Sequence, residues 1–499
     1  MKNKFIFASL LTATILATGC GGSGFKGSES TSKPADTSSK PADTSSKPSN
    51  PPTTSSTSSK PAAPVDKLPE FDTNTDVTIS FWHTMGDKLQ TQLDGIIERF
   101  NQVYPNITVN HEQIGGYPDV RDNILKNIPV DATPNLAYCY PDHVALYKDA
   151  RVVRTLDDYI NDSRYGIAEG TIVDGFYGEG QTFGDGLMYS LPFVKSTEVL
   201  YYNANFFAQH ADKIKVPTTW EEMWEVCRVI KEEIDPSSTP LGYDSESNWF
   251  ITHAEQYGHQ YTSSSTKIDG VDVGVGGHFL FNNKGNRDFV AELAEYFGKG
   301  YFTTEEIYGA YTSGLFTAAT NKSYMCIGSS GGASYQTSSA FTTGVTSVPQ
   351  AEANVAGRRD AVISQGPSIC MFKKANAQEE LASWLFLKFL TTDVKSQADF
   401  AKASGYIPVS KAAQESDEYQ AYLDTAAGNA AGITALVASV AVEQSDKYFT
   451  SPTFVGSSQA RDEVGSILIK VLSAKAQGKN PDIDSIFADA VNACIEAVS

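Results

Sequence analysis

Residues 77–86 read VTISFWHTMG, and residues 87–113 continue DKLQTQLDGIIERFNQVYPNITVNHEQ. The opening run 77–81 has the composition of a buried strand, and the apolar residues that follow recur three and four apart, which is the helical period. Pro105 ends this helix, and residues 107–111 return to an extended pattern. A strand, a helix and a second strand in this order predict a parallel β-α-β unit, with the Trp82 turn at the end of its first strand.

The pattern then repeats along the chain. We predict a helix at 119–128 and a third strand at 135–139, followed by a helix with Pro141 in its first turn. Right-handed crossovers bring the loops after these strands to one sheet edge, where ligands of open α/β sheets bind. Two more strands, at 188–192 and 198–202, precede a fresh start of the pattern, which indicates a second lobe.

The second lobe is predicted from helix starts and apolar strands. Thr218 and Thr219 each stand three residues before a glutamate, a doubled capping box that opens a helix. Further on, we predict strands at 323–328 and 363–372 and an apolar helix at 378–390. The fold class is therefore α/β with two lobes, each a mostly parallel sheet flanked by helices.

Composition limits the possible functions. The chain has 499 residues, of which 41% are hydrophobic, and 39 basic against 59 acidic side chains give a net charge of -20. This is the composition of a globular protein. Nucleic acid is excluded as a partner, because phosphate backbones are held by clustered Lys and Arg, which this chain lacks.

The first twenty residues have the pattern of an export signal. Two lysines precede an uncharged apolar run at 5–17, which is too short to span a bilayer, and the run ends in Gly19-Cys20. This ending resembles the bacterial lipobox, which implies that Cys20 becomes the lipidated first residue; an ordinary signal with an incidental cysteine is the alternative. Residues 21–69, rich in Ser, Thr and Pro, predict a disordered tether. We expect a lipid-anchored protein at the extracellular face of the bacterial cytoplasmic membrane.

The spacings of the cysteines and histidines do not predict a metal centre. The five cysteines after residue 69 include no C-x-x-C pair and predict buried thiols: Cys139, Cys227, Cys326, Cys370 and Cys494. His253, Glu255 and His259 lack the H-E-x-x-H spacing that puts two imidazoles on one helix face. We expect neither a metal nor another cofactor.

Five motifs, taken in order, resemble one known family. They are 81–86, Leu191-Pro192-Phe193 leading into 198–203, 216–220 and 405–408. Together they resemble the extracellular solute-binding proteins of carbohydrate ABC importers, the maltose-binding and glycerol-3-phosphate-binding group. The resemblance implies a two-lobed periplasmic-binding-protein-like fold that binds a sugar or oligosaccharide in an interlobe cleft and delivers it to membrane permease subunits.

The resemblance also implies where the lobes and hinges lie. Hinge segments are expected at about 194–198, 362–367 and 404–409. Lobe one would comprise 75–196 and 366–405, and lobe two would comprise 197–365 and 406–499.

The ligand could carry a phosphate or be neutral. The glycerol-3-phosphate-binding subgroup shares the Phe-Trp-His opening, and phosphate recognition there involves an Arg in the loop ahead of the last long helix. Here the loop 450–460 has no basic residue before Arg461. We therefore expect a neutral sugar, whose identity the sequence leaves open.

Candidate ligand contacts come from sheet edges and the expected hinge. Sugars need flat aromatic faces and planar polar groups, so Trp82 and Trp249 are candidates, with core packing as the alternative for each. The other candidates follow strand ends, the hinge or the Gly-Ser turn: His83, Tyr140, Asp142, His143, Lys195, Ser196, Glu198, Ser329, Ser330 and Gly331.

A hydrolase is the alternative function. Residues 328–332 read GSSGG, a G-x-S-x-G match between a predicted strand and helix, as in serine hydrolases. Those enzymes place Asp and then His after the serine, but all seven histidines precede Ser330. That order of triad is impossible here, so we expect Ser330 to bind rather than react. A polysaccharide-active hydrolase with paired carboxylates remains the runner-up.

Overall fold

The computed structural model describes residues 68–318, 320 and 323–499. Cys20, the export signal and the tether up to residue 67 lie outside the described residues, so their predictions stay predictions. Within the described part, no helix is long and apolar enough to cross a membrane.

The strands follow one another along the described chain with short connections. They are β1 Val77–His83, β2 Ile107–Gln113, β3 Leu136–Cys139, β4 Ser190–Pro192, β5 Val194–Lys195, β6 Glu198–Asn203, β7 Leu241–Tyr243, β8 Lys267–Ile268, β9 Val271–Asp272, β10 Phe302–Thr304, β11 Met325–Ser329, β12 Thr343–Ser347, β13 Val362–Ile363, β14 Ser368–Met371, β15 Ile407–Pro408 and β16 Tyr448–Phe449.

Helices separate these strands and fill most of the carboxyl-terminal part. They are α1 Asp87–Val103, α2 Tyr117–Asn127, α3 Pro141–Asp149, α4 Asp157–Ile160, α5 Asp174–Gly178, α6 Ala204–Gln209, α7 Trp220–Val229, α8 Glu246–Gln256, α9 Lys284–Gly298, α10 Glu305–Tyr308, α11 Ser313–Phe316, α12 Ala377–Thr392, α13 Val394–Ser404, α14 Lys411–Gln414, α15 Asp417–Leu423, α16 Ile433–Glu443, α17 Ser457–Ala476 and α18 Ile483–Val498.

Two five-stranded sheets organise the protein. The first has the order β2-β1-β3-β14-β4, and the second has the order β10-β7-β11-β6-β12. We call the first sheet with α1, α2, α3, α12 and α13 lobe one, and the second sheet with α7, α8, α9, α16, α17 and α18 lobe two. The opening β-α-β unit is present as predicted, with β1 parallel to both β2 and β3.

Each sheet is mostly parallel, as predicted, with four of its five strands running in one direction and the fifth reversed. In lobe one β14 runs antiparallel to β3 and β4, and in lobe two β6 runs antiparallel to β11 and β12. The reason is that β6 and β14 are entered from the other lobe. They begin at the sheet edge where β11 and β3 end, as the pairs Glu198 with Ser329 and Ser368 with Cys139 show.

Both faces of each sheet are buried. In β3, for example, Leu136 and Tyr138 face the core that holds α1 and α12, whereas Ala137 and Cys139 face the core that holds α2 and α3. This alternation follows from the two-residue period of a strand. The five cysteines of the described chain are buried and unbridged, as predicted.

The single strand predicted at 363–372 is two strands, β13 and β14, separated at Gly366. Gly366 has φ +94°, and a Cβ there would lie 2.4 Å from the Val194 carbonyl oxygen. Only glycine tolerates both conditions at low cost. The break lets the chain pass closely over β5 as it leaves lobe two for lobe one.

The three expected hinge segments lie side by side. Lys195 of β5 pairs with Ile407 of β15, and Ser196 exchanges backbone hydrogen bonds with Gln365 at 2.9 and 2.8 Å. Backbone pairing in this region connects the two sheets, and the carboxyl ends of β3 and β11 face the space beside it.

Candidate functional site

A cavity of about 290 Å³ lies where the two lobes and the paired crossing segments meet, and we call it the cleft cavity. Its walls combine α2 and α3 of lobe one with α8 and α17 of lobe two. Its lining residues are Tyr117, Pro118, Arg121, Tyr140, Pro141, Asp142, His143, Glu179, Lys195, Ser245, Ser247, Asn248, Tyr261, Ile363, Ser364, Gln365, Thr450, Ser451, Pro452, Thr453, Ser457, Ser458, Arg461 and Asp462.

The wall from lobe one is aromatic and polar. Tyr140 is the residue before α3, and its ring centroid lies 4.3 Å from that of Tyr117 at the start of α2. Burial raises the pKa of both tyrosines. Burial also lowers the pKa of His143, so this imidazole is neutral at pH 7. The wall therefore offers two flat rings and neutral hydrogen-bonding groups.

The wall from lobe two begins at the amino-terminal ends of two helices. Asn248 lies in the first turn of α8, and Arg461 lies near the start of α17. The Arg461 Nη1 donates to Asn248 Oδ1 at 2.8 Å. Because α17 lies against α8 in the core of lobe two, this pair is held in a fixed position at the cavity surface.

The floor of the cleft cavity is a buried ion pair. Lys195 Nζ lies 2.5 Å from Glu179 Oε2, and the two side chains are 2% and 4% exposed. The Ser364 hydroxyl donates to Glu179 Oε1 at 2.6 Å. These three residues come from three separate segments, so the network ties the crossing segments together beneath the cavity.

Polar contacts connect the two lobes across the cleft. Arg121 Nη1 of α2 donates to Ser458 Oγ of α17 at 2.8 Å, and the hydroxyls of Thr182 and Thr453 lie 3.0 Å apart. The structure therefore has the lobes in contact around the cleft cavity.

Cations and acids are matched one to one in the lining. Besides Lys195 with Glu179, Arg121 Nη1 lies 3.5 Å from Asp462, and Arg461 Nε lies 3.9 Å from Asp142. Burial raises the pKa of Asp462, opposed mainly by Arg121. The three pairs leave the lining with a formal charge near zero.

Several lining side chains also have a buried polar atom that makes no hydrogen bond. Among the described residues, four buried polar atoms of the lining make no hydrogen bond: Asp142 Oδ2, His143 Nδ1, Gln365 Oε1 and Ser451 Oγ. Buried polar groups in folded proteins are nearly always paired, and an unpaired one costs about 1–3 kcal/mol. A polar molecule in the cavity would supply these partners.

Comparison with known proteins gives the family. A model of the family described as bacterial extracellular solute-binding protein matches residues 95–427. The chain belongs to this family.

This solute-binding protein is similar to curated and solved relatives. It is 25% identical over 360 residues to the sn-glycerol-3-phosphate-binding periplasmic protein UgpB of Salmonella typhimurium, covering 70% of this chain and 77% of that one. The GacH receptor of Streptomyces glaucescens, solved unliganded and with acarbose, superimposes with a TM-score of 0.67 at 15% identity, over 85% of this chain and 98% of that one. UgpB from Mycobacterium tuberculosis, solved in complex with glycerophosphocholine, gives 0.67 at 18% identity, over 84% and 98%. These structures share the two-lobed fold.

Four of the twelve predicted contacts of this solute-binding protein line the cleft cavity: Tyr140, Asp142, His143 and Lys195. Three of these follow directly from β3 and its crossover, where the sheet-edge argument expects ligand contacts. The fourth lies on a crossing segment. The other eight predicted residues lie elsewhere in the described structure.

Trp249 lies in the core of lobe two, not in the cleft wall. Its ring is fully buried and stacks on Tyr243, with centroids 4.3 Å apart and planes 7° from parallel. Trp220 and Phe302 pack on it as well. The alternative of core packing is therefore correct for Trp249, because α8 is buried on nearly every side.

Trp82 and His83 also point away from the cleft cavity. Trp82 is half-buried beside the core around α2 and α3. His83 is fully buried, and its Nε2 lies 2.9 Å from Nδ1 of His111, whose Nε2 contacts Asp94 at 2.9 Å. Both side chains therefore pack within lobe one and stabilise it.

The remaining predicted residues lie in or beside the segments that cross between the lobes, where two of them accept buried hydrogen bonds. Glu198 is buried and accepts a hydrogen bond from the Tyr243 hydroxyl at 2.7 Å; burial raises its pKa to about 8. Ser330 is fully buried, and its Oγ accepts from the Thr197 N–H at 3.1 Å. The following turn is a short 3₁₀-helix at Ser330–Tyr335. Ser196, Ser329 and Gly331 lie beside these groups and do not line the cavity.

The sequence reasoning missed most of the polar wall. Arg121, Asn248, Tyr261, Ser458 and Arg461 all line the cavity. The argument that loop 450–460 has no basic residue therefore weighs less against a phosphate ligand, because Arg461, directly after this loop, lines the cavity. A usable signal existed, because Ser458 and Arg461 open a long helix at the end of a predicted loop, where ligand groups commonly bind.

Proposed function

We propose that this solute-binding protein is a lipid-anchored receptor that binds a neutral sugar in the cleft cavity and delivers it to the permease subunits of an ABC importer. It performs no chemistry on the ligand. Lobe closure around the ligand would be the signal that the permease recognises, because contacts from both lobes exist together only in the closed state.

The observation that carries this proposal is the matched charge of the cleft cavity. Each of its cations already faces an acid, and four lining residues have a buried polar atom that makes no hydrogen bond. An uncharged, hydroxyl-rich ligand can satisfy such atoms without breaking an ion pair. The adjacent rings of Tyr117 and Tyr140, whose planes are tilted by 33°, supply the aromatic surface that sugar C–H groups favour.

A glycerophosphate ligand is the second candidate, and a specific observation favours it. Arg121 and Arg461 reach the same cavity from opposite lobes, and guanidinium groups are well suited to phosphate. The similarity to the glycerol-3-phosphate-binding protein of Salmonella typhimurium supports this candidate. Phosphate binding here would require each arginine to exchange its present acidic partner for the ligand, which is why we favour the neutral ligand.

Two further parts of the proposal rest on sequence. Gly19-Cys20 and the Ser/Thr/Pro-rich stretch support a lipid anchor with a tether at the outer face of the cytoplasmic membrane. The adjacent crossing segments support lobe boundaries near 196, 366 and 405. At the third boundary, however, the following helices α14 and α15 pack against α13 of lobe one. We therefore propose that lobe one also includes residues 406–423.

A ligand screen tests the proposed function. Thermal unfolding of the full-length protein would be recorded with neutral mono- and oligosaccharides, sn-glycerol 3-phosphate and glycerophosphocholine. A ligand at a hundred times its dissociation constant adds about 2.7 kcal/mol of stability. We expect stabilisation by a neutral sugar that is recovered unchanged. Stabilisation by the phosphorylated ligands alone would replace the neutral-sugar proposal, and turnover of a sugar would favour a hydrolase.

A further inference from the structure

Glu198 lies where the first crossing segment enters the sheet of lobe two. It begins β6 opposite Ser329, and only 1% of the residue is exposed. Its side chain shares a face of the strand with Leu200, which packs in the core that holds α8 and α17. The carboxyl group is therefore enclosed behind the wall that lobe two contributes to the cleft cavity.

This carboxyl group is poorly compensated as an anion. Its Oε2 accepts a hydrogen bond from Tyr243 at 2.7 Å, whereas its Oε1 is buried without a hydrogen bond of its own. A buried carboxylate is costly when neither water nor a paired cation offsets its charge, so the protonated form is favoured. Burial raises the pKa of Glu198 to about 8, which means that this side chain is mostly neutral at pH 7.

The groups that face Glu198 come from the elements packed on β6. They are Tyr243, Asp244, Asn248 and Arg461. The charge of Asp244 raises the pKa of Glu198, and Arg461 opposes this effect. Asp244 is itself held by Thr312, whose backbone N–H and hydroxyl both donate to its Oδ1 at 2.7 Å. Arg461 is therefore the cation that an ionised Glu198 would attract.

Arg461 lies between two acids that belong to different parts of the structure. Its Nη1 donates to Asn248 Oδ1 at 2.8 Å, and its Nε lies 3.9 Å from Asp142 of lobe one. Glu198 lies behind Asn248 on the other side. While Glu198 is neutral, Asp142 is the acid that pairs with Arg461, and this pair joins the two lobes at the cleft cavity. A charged Glu198 would compete for the same guanidinium group.

We propose that Glu198 is a positioning residue for ligand binding: its neutral carboxyl leaves Arg461 at the cleft surface beside Asp142, and its ionisation draws Arg461 back towards β6. Glu198 acts through Asn248 and Arg461 and does not line the cavity itself. The proposal rests on the proposed function, since the position of Arg461 matters there through the ligand and the contact between the lobes.

The sign of the pH dependence follows from linkage. The neutral form of Glu198, which supports binding, is populated below its pKa and is lost as the pH rises through about 8. Ligand affinity should therefore fall at alkaline pH. Because linkage is reciprocal, a bound ligand should in turn raise the pKa of Glu198.

Glu305 offers a matched control, because it titrates in the same range but lies outside the lining of the cleft cavity. Burial raises its pKa to about 7, and the charges of Asp244 and Glu246 add to this effect. Glu305 begins the short helix α10. A change in affinity that depends on Glu305 would thus have nothing to do with the pair of Arg461 and Asp142.

The experiment measures binding by the full-length protein from about pH 6.5 to about pH 9.5. One probe is a mixture of partial hydrolysates of starch, cellulose, xylan and chitin with their monosaccharides, from which captured sugars are quantified by mass spectrometry. The other is glycerophosphocholine, measured by calorimetry, because its phosphodiester does not titrate in this range. For whichever probe binds, we expect affinity to fall about tenfold across the series, with a midpoint near the pKa of Glu198.

Three variants assign this fall to Glu198. Glu198→Gln has nearly the same shape and cannot ionise, so its affinity should not change with pH. Glu305→Gln should retain the fall. Tyr243→Phe removes the hydrogen bond that lowers the pKa of Glu198, so the midpoint should move to higher pH. Circular dichroism and thermal unfolding at each pH would check that each variant is folded.

The outcomes separate this proposal from the proposed function. Sugar capture that does not change with pH, or a fall that persists in Glu198→Gln, would overturn the role of Glu198 and leave the proposed function standing. Binding of glycerophosphocholine without capture of any carbohydrate would overturn the neutral-sugar function, and its pH series would still decide on Glu198. Binding of neither probe at any pH would overturn both.

Discussion

Loss of the Lys195 ammonium should destabilise the protein strongly. Lys195→Met keeps most of the side-chain length but leaves the Glu179 carboxylate buried at 4% exposure, with the Ser364 hydroxyl as its remaining donor in this network. Removing one partner of a buried ion pair costs about 3–5 kcal/mol. We expect a loss of that size in the free energy of unfolding, measured by urea denaturation followed by circular dichroism.

Two controls make this prediction specific. Lys284→Met breaks the ion pair with Asp288, whose members are 84% and 62% exposed, and should cost less than about 1 kcal/mol. Adding Glu179→Gln to Lys195→Met removes the stranded charge and should recover at least half of the loss. A cost for Lys195→Met no larger than that for Lys284→Met, or a double variant no more stable than the single one, would contradict a stabilising role of the buried pair.

Four further predictions follow from named contacts. Burial, with the neighbouring His111, lowers the pKa of His83 to about 4, against about 6.5 in the unfolded chain. Between these two pH values the unfolded chain therefore binds more protons than the folded protein. Up to about 3 kcal/mol of stability should be lost as the pH falls from 6.5 to 4. Urea titrations across this range should be flatter for His83→Asn. Trp249→Ala should cost about 3–5 kcal/mol of stability and leave sugar affinity of the folded fraction unchanged in calorimetry, whereas a selective loss of affinity would return Trp249 to the cleft. Ser330→Ala strands the Thr197 N–H and should cost about 1–3 kcal/mol in denaturant unfolding, and ester hydrolysis by the parent that this variant abolishes would contradict the structural role. Cys20→Ser should release the protein from the membrane fraction or leave it unprocessed on cell fractionation, and retention at the mature size would exclude the anchor.

Much of the fold could be predicted because local patterns and packing agree. The helix predicted after residue 86 and the strands on either side of it are present, since their apolar periods match the faces that are buried. The prediction of a single strand at 363–372 was wrong because it followed the apolar composition of this segment and ignored the interruption at Gln365-Gly366-Pro367. A glycine followed by proline marks a break, and here the close approach of Val194 requires it.

The cleft was predicted less completely than the fold. Tyr140, Asp142 and His143 could be found because they directly follow a strand, where the sheet rule applies. Arg121 and Ser458 could not be paired from sequence, because they lie 337 positions apart and belong to helices of different lobes. Trp249 was misassigned because its position near a helix start suggested exposure, whereas apolar neighbours on all sides of α8 indicated burial.

The most direct test of the account is a crystal structure of the protein with the neutral sugar that raises its thermal midpoint most. We predict one ligand between the lobes, with a ring against Tyr140 and hydrogen bonds to His143 and Gln365. It also predicts that Lys195 remains paired with Glu179. A ligand bound outside the cleft cavity, or one whose phosphate displaces the acids from Arg121 and Arg461, would contradict it.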